Sequence, residues 1–242
     1  MRATDRLPRA AAGAVLAALV LAGCATNVNV QGRRLNLEGP PGREREGILR
    51  ADPSKVVAAE LAFARLAQEK GQWTAFAQTA TDNAVMFVPQ PVVARQWLRR
   101  QANPAQAVKW QPHQVWSSCD GSMAVTKGAW QRPDGSVGYF TTVWERQRRG
   151  EYKWVMDQGD TLAQPLAAPE MIAASAADCG GQPTPPADLL AGPEDQIRAG
   201  TARDGTLRWQ VVVKPDGSRR VIVRRWDGSA WRDALDEQVA AG

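Results

Sequence analysis

The chain has 242 residues, a formal net charge of +5, 44% apolar residues, three cysteines and one histidine. That length supports one sizeable hydrophobic core with an appendage, and so mild a basic excess does not point to a nucleic-acid partner. With His113 alone of its kind and no Cys-x-x-Cys spacing, the sequence also argues against a metal centre.

The first element is a leader. Arg2, Arg6 and Arg9 precede an apolar run from Ala11 to Leu21 that is too short to span a bilayer, the pattern of a signal peptide. Leu21-Ala22-Gly23-Cys24 closes that run and resembles the lipobox of bacterial lipoproteins. The resemblance implies that Cys24 carries palmitate or another acyl chain on sulfur, becomes the first residue after cleavage and is acylated again on its new amine. Ala25 after the cysteine, rather than Asp, is similar to lipoproteins sent on to the outer membrane. The expected location is therefore the cell envelope, lipid-anchored and facing the periplasm. Removing the first 23 of 242 residues leaves 219, and because the leader carries +2 of the +5, the remainder carries +3. An exported chain meets membrane lipid through Cys24 and rarely meets nucleic acid. Lipidation of Cys24 would leave Cys119 and Cys179 as an even pair in an oxidising compartment, so a bridge between them is expected, with two separate buried thiols as the alternative.

From Ala25 to Arg50 the composition is rich in Asn, Gly, Pro and paired charges and reads as a tether. Asp52-Pro53 supplies a helix cap with proline at the first helical position, and Val56, Ala59, Phe63 and Leu66 follow at helical spacing up to Gly71. A second short helix carries Trp73, Phe76, Ala77 and Ala80 before a polar stop at Thr81-Asp82-Asn83. Val85 to Val88 reads as a short buried run ended by Pro89 and Pro91, and a third helix is expected from Val93 to Arg100.

Beyond Pro104 the period becomes alternating. Four strands are predicted, Lys109 to Trp116, Ser122 to Gln131, Val137 to Gln147 and Tyr152 to Gly159, joined as an antiparallel meander through turns such as Pro133-Asp134-Gly135-Ser136. Residues 161–204 form an Ala- and Pro-rich connection with a helical stretch expected near Pro169 to Ala177. Leu207 to Lys214, a Pro215-Asp216-Gly217-Ser218 turn and Arg219 to Trp226 then read as a hairpin that turns again toward Trp231. So small a unit needs the main sheet or a partner to bury its apolar face. Arg219, Arg220, Arg224 and Arg225 on one of these strands read either as an anion-contacting patch or as a charged edge that blocks strand addition.

This order of elements resembles the nuclear transport factor 2-like superfamily, which includes ketosteroid isomerases and SnoaL-like cyclases. The resemblance rests on Gly71-Gln72-Trp73-Thr74-Ala75-Phe76, on Asp82 to Pro89, on Met123 to Trp130, on Tyr139 to Arg146 and on Trp154 to Gly159. It implies an α+β fold for residues 52–160, a curved antiparallel sheet wrapped on N-terminal helices as a cone, and, by family habit, a homodimer; the C-terminal β-hairpin extension at 205–242, read from its own alternation, lies outside the resemblance. The resemblance specifies fold far better than activity.

In enzymes of this superfamily an Asp, Glu or His inside the cone moves a proton. His113 and Asp157 are the titratable pair that the predicted strands offer. Alternation sets His113 with Lys109, Gln111 and Val115, opposite Trp110 and Trp116, and the sequence leaves open which set faces inward. Trp110, Trp116 and Trp144 are either core or a platform for a ligand. No nucleophile elbow, phosphate loop, zinc-protease helix or EF-hand occurs, and no cofactor is expected. Two readings remain. The first is a non-catalytic lipoprotein whose cone binds a small apolar ligand or a protein partner. The second is a cone-fold isomerase, cyclase or dehydratase using His113 or Asp157 as acid or base.

Overall fold

The computed structural model describes residues 50–181 and 183–241. The leader, Cys24 and the tether as far as residue 49 lie outside the described residues.

Helix α1 (Pro53–Lys70) starts where the sequence places it, with the Asp52 carboxylate accepting from the Ser54 N–H at 3.2 Å. It buries Val56, Glu60, Phe63 and Ala67 on one stripe and ends at Gly71, whose φ of 97° suits glycine. Helix α2 (Gln72–Thr79) has no cap of its own. Asn103 provides one from a distant loop, its side-chain oxygen accepting from the N–H groups of Trp73 at 2.8 Å and Thr74 at 3.2 Å.

The polar triplet does not stop the chain. Strand β1 (Ala80–Phe87) runs straight through Thr81-Asp82-Asn83, whose side chains lie toward solvent while Ala80, Ala84 and Met86 are buried. Strand β2 (Pro91–Val93) then claims Val93, leaving helix α3 only Ala94–Leu98. The four-strand meander is β3 (Lys109–Ser117), β4 (Met123–Gln131), β5 (Val137–Arg146) and β6 (Tyr152–Leu162). The stretch expected as a helix near Pro169 instead contributes β7 (Ala173–Ala176), parallel to β3. Its small residues offer no apolar helical stripe, and the β3 edge supplies backbone partners that an isolated helix would lack. The sheet order is β2-β1-β6-β5-β4-β3-β7.

The connection also holds β8 (Gln196–Thr201), which joins β9 (Leu207–Val213), β10 (Arg219–Trp226) and β11 (Trp231–Val239) in a second, four-stranded sheet of order β11-β10-β9-β8. The arginine-rich strand is therefore interior, paired on both sides, and not an edge. Its arginines are largely spoken for: Arg220 grips Asp236 with two hydrogen bonds and Arg224 pairs with Asp233.

Each face of the large sheet has a cover. Its concave side packs on the helices through Ala124, Trp144 and Trp154. Its convex side, carrying Met123, Val125, Val143 and Met156, packs on Leu207, Trp209, Val211, Val213, Val221 and Val223 of the second sheet. A polar seam crosses this interface, where Glu237 accepts from Thr141 at 2.9 Å and Gln158 at 2.7 Å and pairs with Lys127 at 2.7 Å. Cys119 and Cys179 are bridged, their Cα atoms 5.2 Å apart, tying the β3–β4 turn to the segment after β7.

Candidate functional site

Strand β1 ends at Phe87, but its parallel neighbour β6 continues to Leu162. This mismatch leaves the far part of β6 open on one side and creates a cavity of about 360 Å³ in the mouth of the cone. Phe63, Trp73, Phe76, Trp110 and Phe140 supply aromatic wall. Several of these rings meet edge to face, with Phe63 centred 4.8 Å from both Phe76 and Trp110 and Trp73 5.5 Å from Phe76.

Asp157 is the acid on the inner wall. It lies opposite Thr142 in the β5–β6 register, and the Thr142 hydroxyl donates to its Oδ2 at 2.7 Å. Burial pushes its pKa up to about 7, and the nearby Glu60 carboxylate pushes the same way, while the Thr142 hydrogen bond opposes both. A carboxyl so placed carries its proton over a wide span of pH and exchanges it near neutrality.

Glu60, which sequence reasoning missed, lies beneath the cavity. It is wholly buried and accepts three hydrogen bonds: from the Trp110 indole at 2.8 Å, the Thr126 hydroxyl at 2.6 Å and the Trp144 indole at 3.1 Å. Burial raises its pKa and the three donors pull it back. The signal was present, because Glu60 stands four residues after Val56 and three before Phe63, an acid on the apolar stripe of α1.

His113 and Asp157 are not brought together. Residues Pro112 and Gln114 of β3 pair with adjacent residues of β4, so His113 is the extra residue of a β-bulge. It is buried, it does not line the cavity, and burial alone lowers its pKa. The bulge also undoes the expected alternation. Trp110 faces the helices and the cavity, Trp116 packs toward the second sheet, and Trp144 is sealed in the core.

The rim combines both sheets. Arg132 stacks on Trp130 at 4.6 Å, Asp160 and Thr161 come from the end of β6, and Arg219, Val239 and Ala240 come from the second sheet. Arg219 donates from Nε to Gln158 at 3.1 Å and from Nη2 to the Gly159 carbonyl at 2.7 Å, with its guanidinium 4.8 Å from the Phe87 ring.

No protein-family model matches the sequence, and no curated protein matches it. Among solved structures it is similar to a protein named as a candidate ketosteroid isomerase from Parabacteroides distasonis, at 12% identity over 48% of this chain and 97% of that one, with a TM-score of 0.37. It is also similar to a nuclear transport factor 2-like protein of unknown function from Shewanella baltica, at 12% identity over 47% and 99%, TM-score 0.36. A third is named as a candidate aromatic ring hydroxylase from Novosphingobium aromaticivorans, at 18% identity over 48% and 92%, TM-score 0.37. About half of the chain, and no more, is spanned by any of these three likenesses.

Proposed function

We propose that this chain is an envelope lipoprotein, anchored through Cys24 and facing the periplasm, whose cone holds a small and largely apolar molecule without transforming it. The observation that carries the reading is the aromatic cavity of about 360 Å³, toward the small end of the roughly 300–1,000 Å³ typical of small-molecule sites. The aromatic wall holds a ring by burying its apolar surface. A homodimer, the habit of the superfamily that the sequence resembles, would need a surface other than the convex face of the large sheet, because the chain's own second sheet packs there.

Two measurements test this. Native mass spectrometry of the full chain extracted from membranes should find one co-purifying small molecule, lost on Trp110→Ala; a bare protein whose cavity takes up no aromatic probe would end the binding reading. Labelled palmitate should enter the wild-type chain and not Cys24→Ser, and equal membrane retention of both would end the anchor.

One observation favours a second reading, a cone-fold isomerase, cyclase or dehydratase. Asp157 presents a carboxyl with a pKa of about 7 to a cavity with an aromatic wall, the condition for proton transfer at neutral pH. Turnover of a ring ketone by the purified chain, cut about 10²- to 10⁴-fold by Asp157→Asn, would replace the first reading with this one.

A further inference from the structure

Arg219 is an anomaly at the cavity rim. Only 6% of the residue is exposed, and buried arginines are rarely left without an acidic partner. Yet no carboxylate lies within ion-pair distance of it among the described residues. The acids around it are engaged elsewhere. Glu237 is taken by Lys127, Thr141 and Gln158, and Asp160 accepts from the backbone N–H of Thr161 at 2.7 Å. The two acceptors that Arg219 does find, Gln158 and the Gly159 carbonyl, are neutral and use Nε and Nη2. Nη1 has no partner in the protein among the described residues, and the side chain lines the cavity. Those contacts hold the guanidinium plane fixed, so its free edge is a prepared fork for a planar anion. Across the rim Arg132, stacked on Trp130, adds a second positive charge.

We propose that the cavity takes a ring compound bearing a carboxylate, with the ring against Phe63, Phe76, Trp110 and Phe140 and the carboxylate on the free edge of Arg219. This rests on the reading of the cone as a ligand cavity and narrows the ligand from any apolar molecule to an aromatic or alicyclic acid. The acid enters ring first, because the aromatic wall is deep and the cation is at the rim. Asp160 and Glu237 act on Arg219 only from beyond ion-pair distance, and the ligand's carboxylate supplies the direct ion pair that it does not find in the protein.

The test compares 2-naphthoate with neutral 2-naphthylmethanol by titration calorimetry on the purified full chain, with the same detergent in cell and syringe. The acid should bind at least about tenfold more tightly than the alcohol, as a charge-assisted pair in a desolvated site requires. Arg219→Met should abolish that preference, the acid losing at least about tenfold more affinity than the alcohol. Arg219→Gln, whose amide nitrogen takes the place of Nε and can still donate to Gln158, serves the same purpose if the Met variant does not fold, and the wild-type preference needs no variant at all. Equal binding of the two probes, or a preference that survives both substitutions, overturns the anion site and leaves the cavity reading standing. Failure of both probes to bind overturns both together.

Discussion

Asp157 is where sequence and chemistry meet at the scale of one residue. Its pKa rises in the folded chain to about 7 from an ordinary 3.8, so the native state binds its proton more tightly than the unfolded state does. Its contribution to stability is fully present below about pH 4 and is lost as pH rises through about 7. The shift sets an upper bound of about 4 kcal/mol on that loss, reduced where cavity water reaches the carboxyl. Asp157→Asn, which keeps an acceptor for Thr142, should therefore flatten the profile, and urea unfolding of both proteins at pH 5 and pH 8 measures it; parallel profiles would mean that Asp157 ionises freely. Glu60 behaves oppositely to substitution. Glu60→Gln must turn an N–H toward an indole or hydroxyl that is itself donating, and should cost about 2–4 kcal/mol in the same urea experiment. An acid at position 60 could be read as buried from its helical spacing alone, whereas the three groups that satisfy it come from β3, β4 and β5 and have no signal near it in the chain. The bulge at His113 was equally hidden, since one extra residue reverses every inward-or-outward assignment after it without changing the residue types.

At the scale of elements, legibility followed the strength of the local pattern. α1 announces itself through Asp52-Pro53 and its apolar stripe, and β3 to β6 through alternation and Asp-Gly or Gly-Glu turns. β7 and β8 carry mostly small or polar residues, Ala-Ala-Ser-Ala and Gln-Ile-Arg-Ala-Gly-Thr, and exist because β3 and β9 offer edges to pair with. Nothing local encodes that. The position of β7 depends further on the Cys119–Cys179 bridge three residues beyond its end, which closes a separation of 60 residues. Loss of a link of that span is expected to cost about 4 kcal/mol in the chain-entropy account. Reduction under native buffer should lower the unfolding midpoint, and hydrogen exchange should show β7 releasing first while β4 and β5 keep their protection. Unchanged exchange at β7 would show that pairing with β3 alone holds it.

Taken as a whole molecule, the cone and the C-terminal sheet are two covers of one wall. Met123, Val125, Val143 and Met156 belong to the cone's strands yet have their apolar partners in β9, β10 and β11, so this part of the cone's outer face is core rather than surface. The same second sheet reaches round the open edge of β6 and closes the cavity rim with Arg219 and Val239. Folding and ligand capture are therefore expected to be coupled through the sheet interface rather than through the helices. Leu207→Ala tests this, because Leu207 is fully buried in that interface and does not line the cavity. The substitution should cost about 2–5 kcal/mol. If the two sheets form one cooperative unit, amide protection in β4 and β5 should fall in step with that in β9 and β10, and affinity for the cavity probe should fall as well because the rim loosens. Protection lost from β9 and β10 alone, with probe binding intact, would instead make the second sheet a separable cover over an autonomous cone.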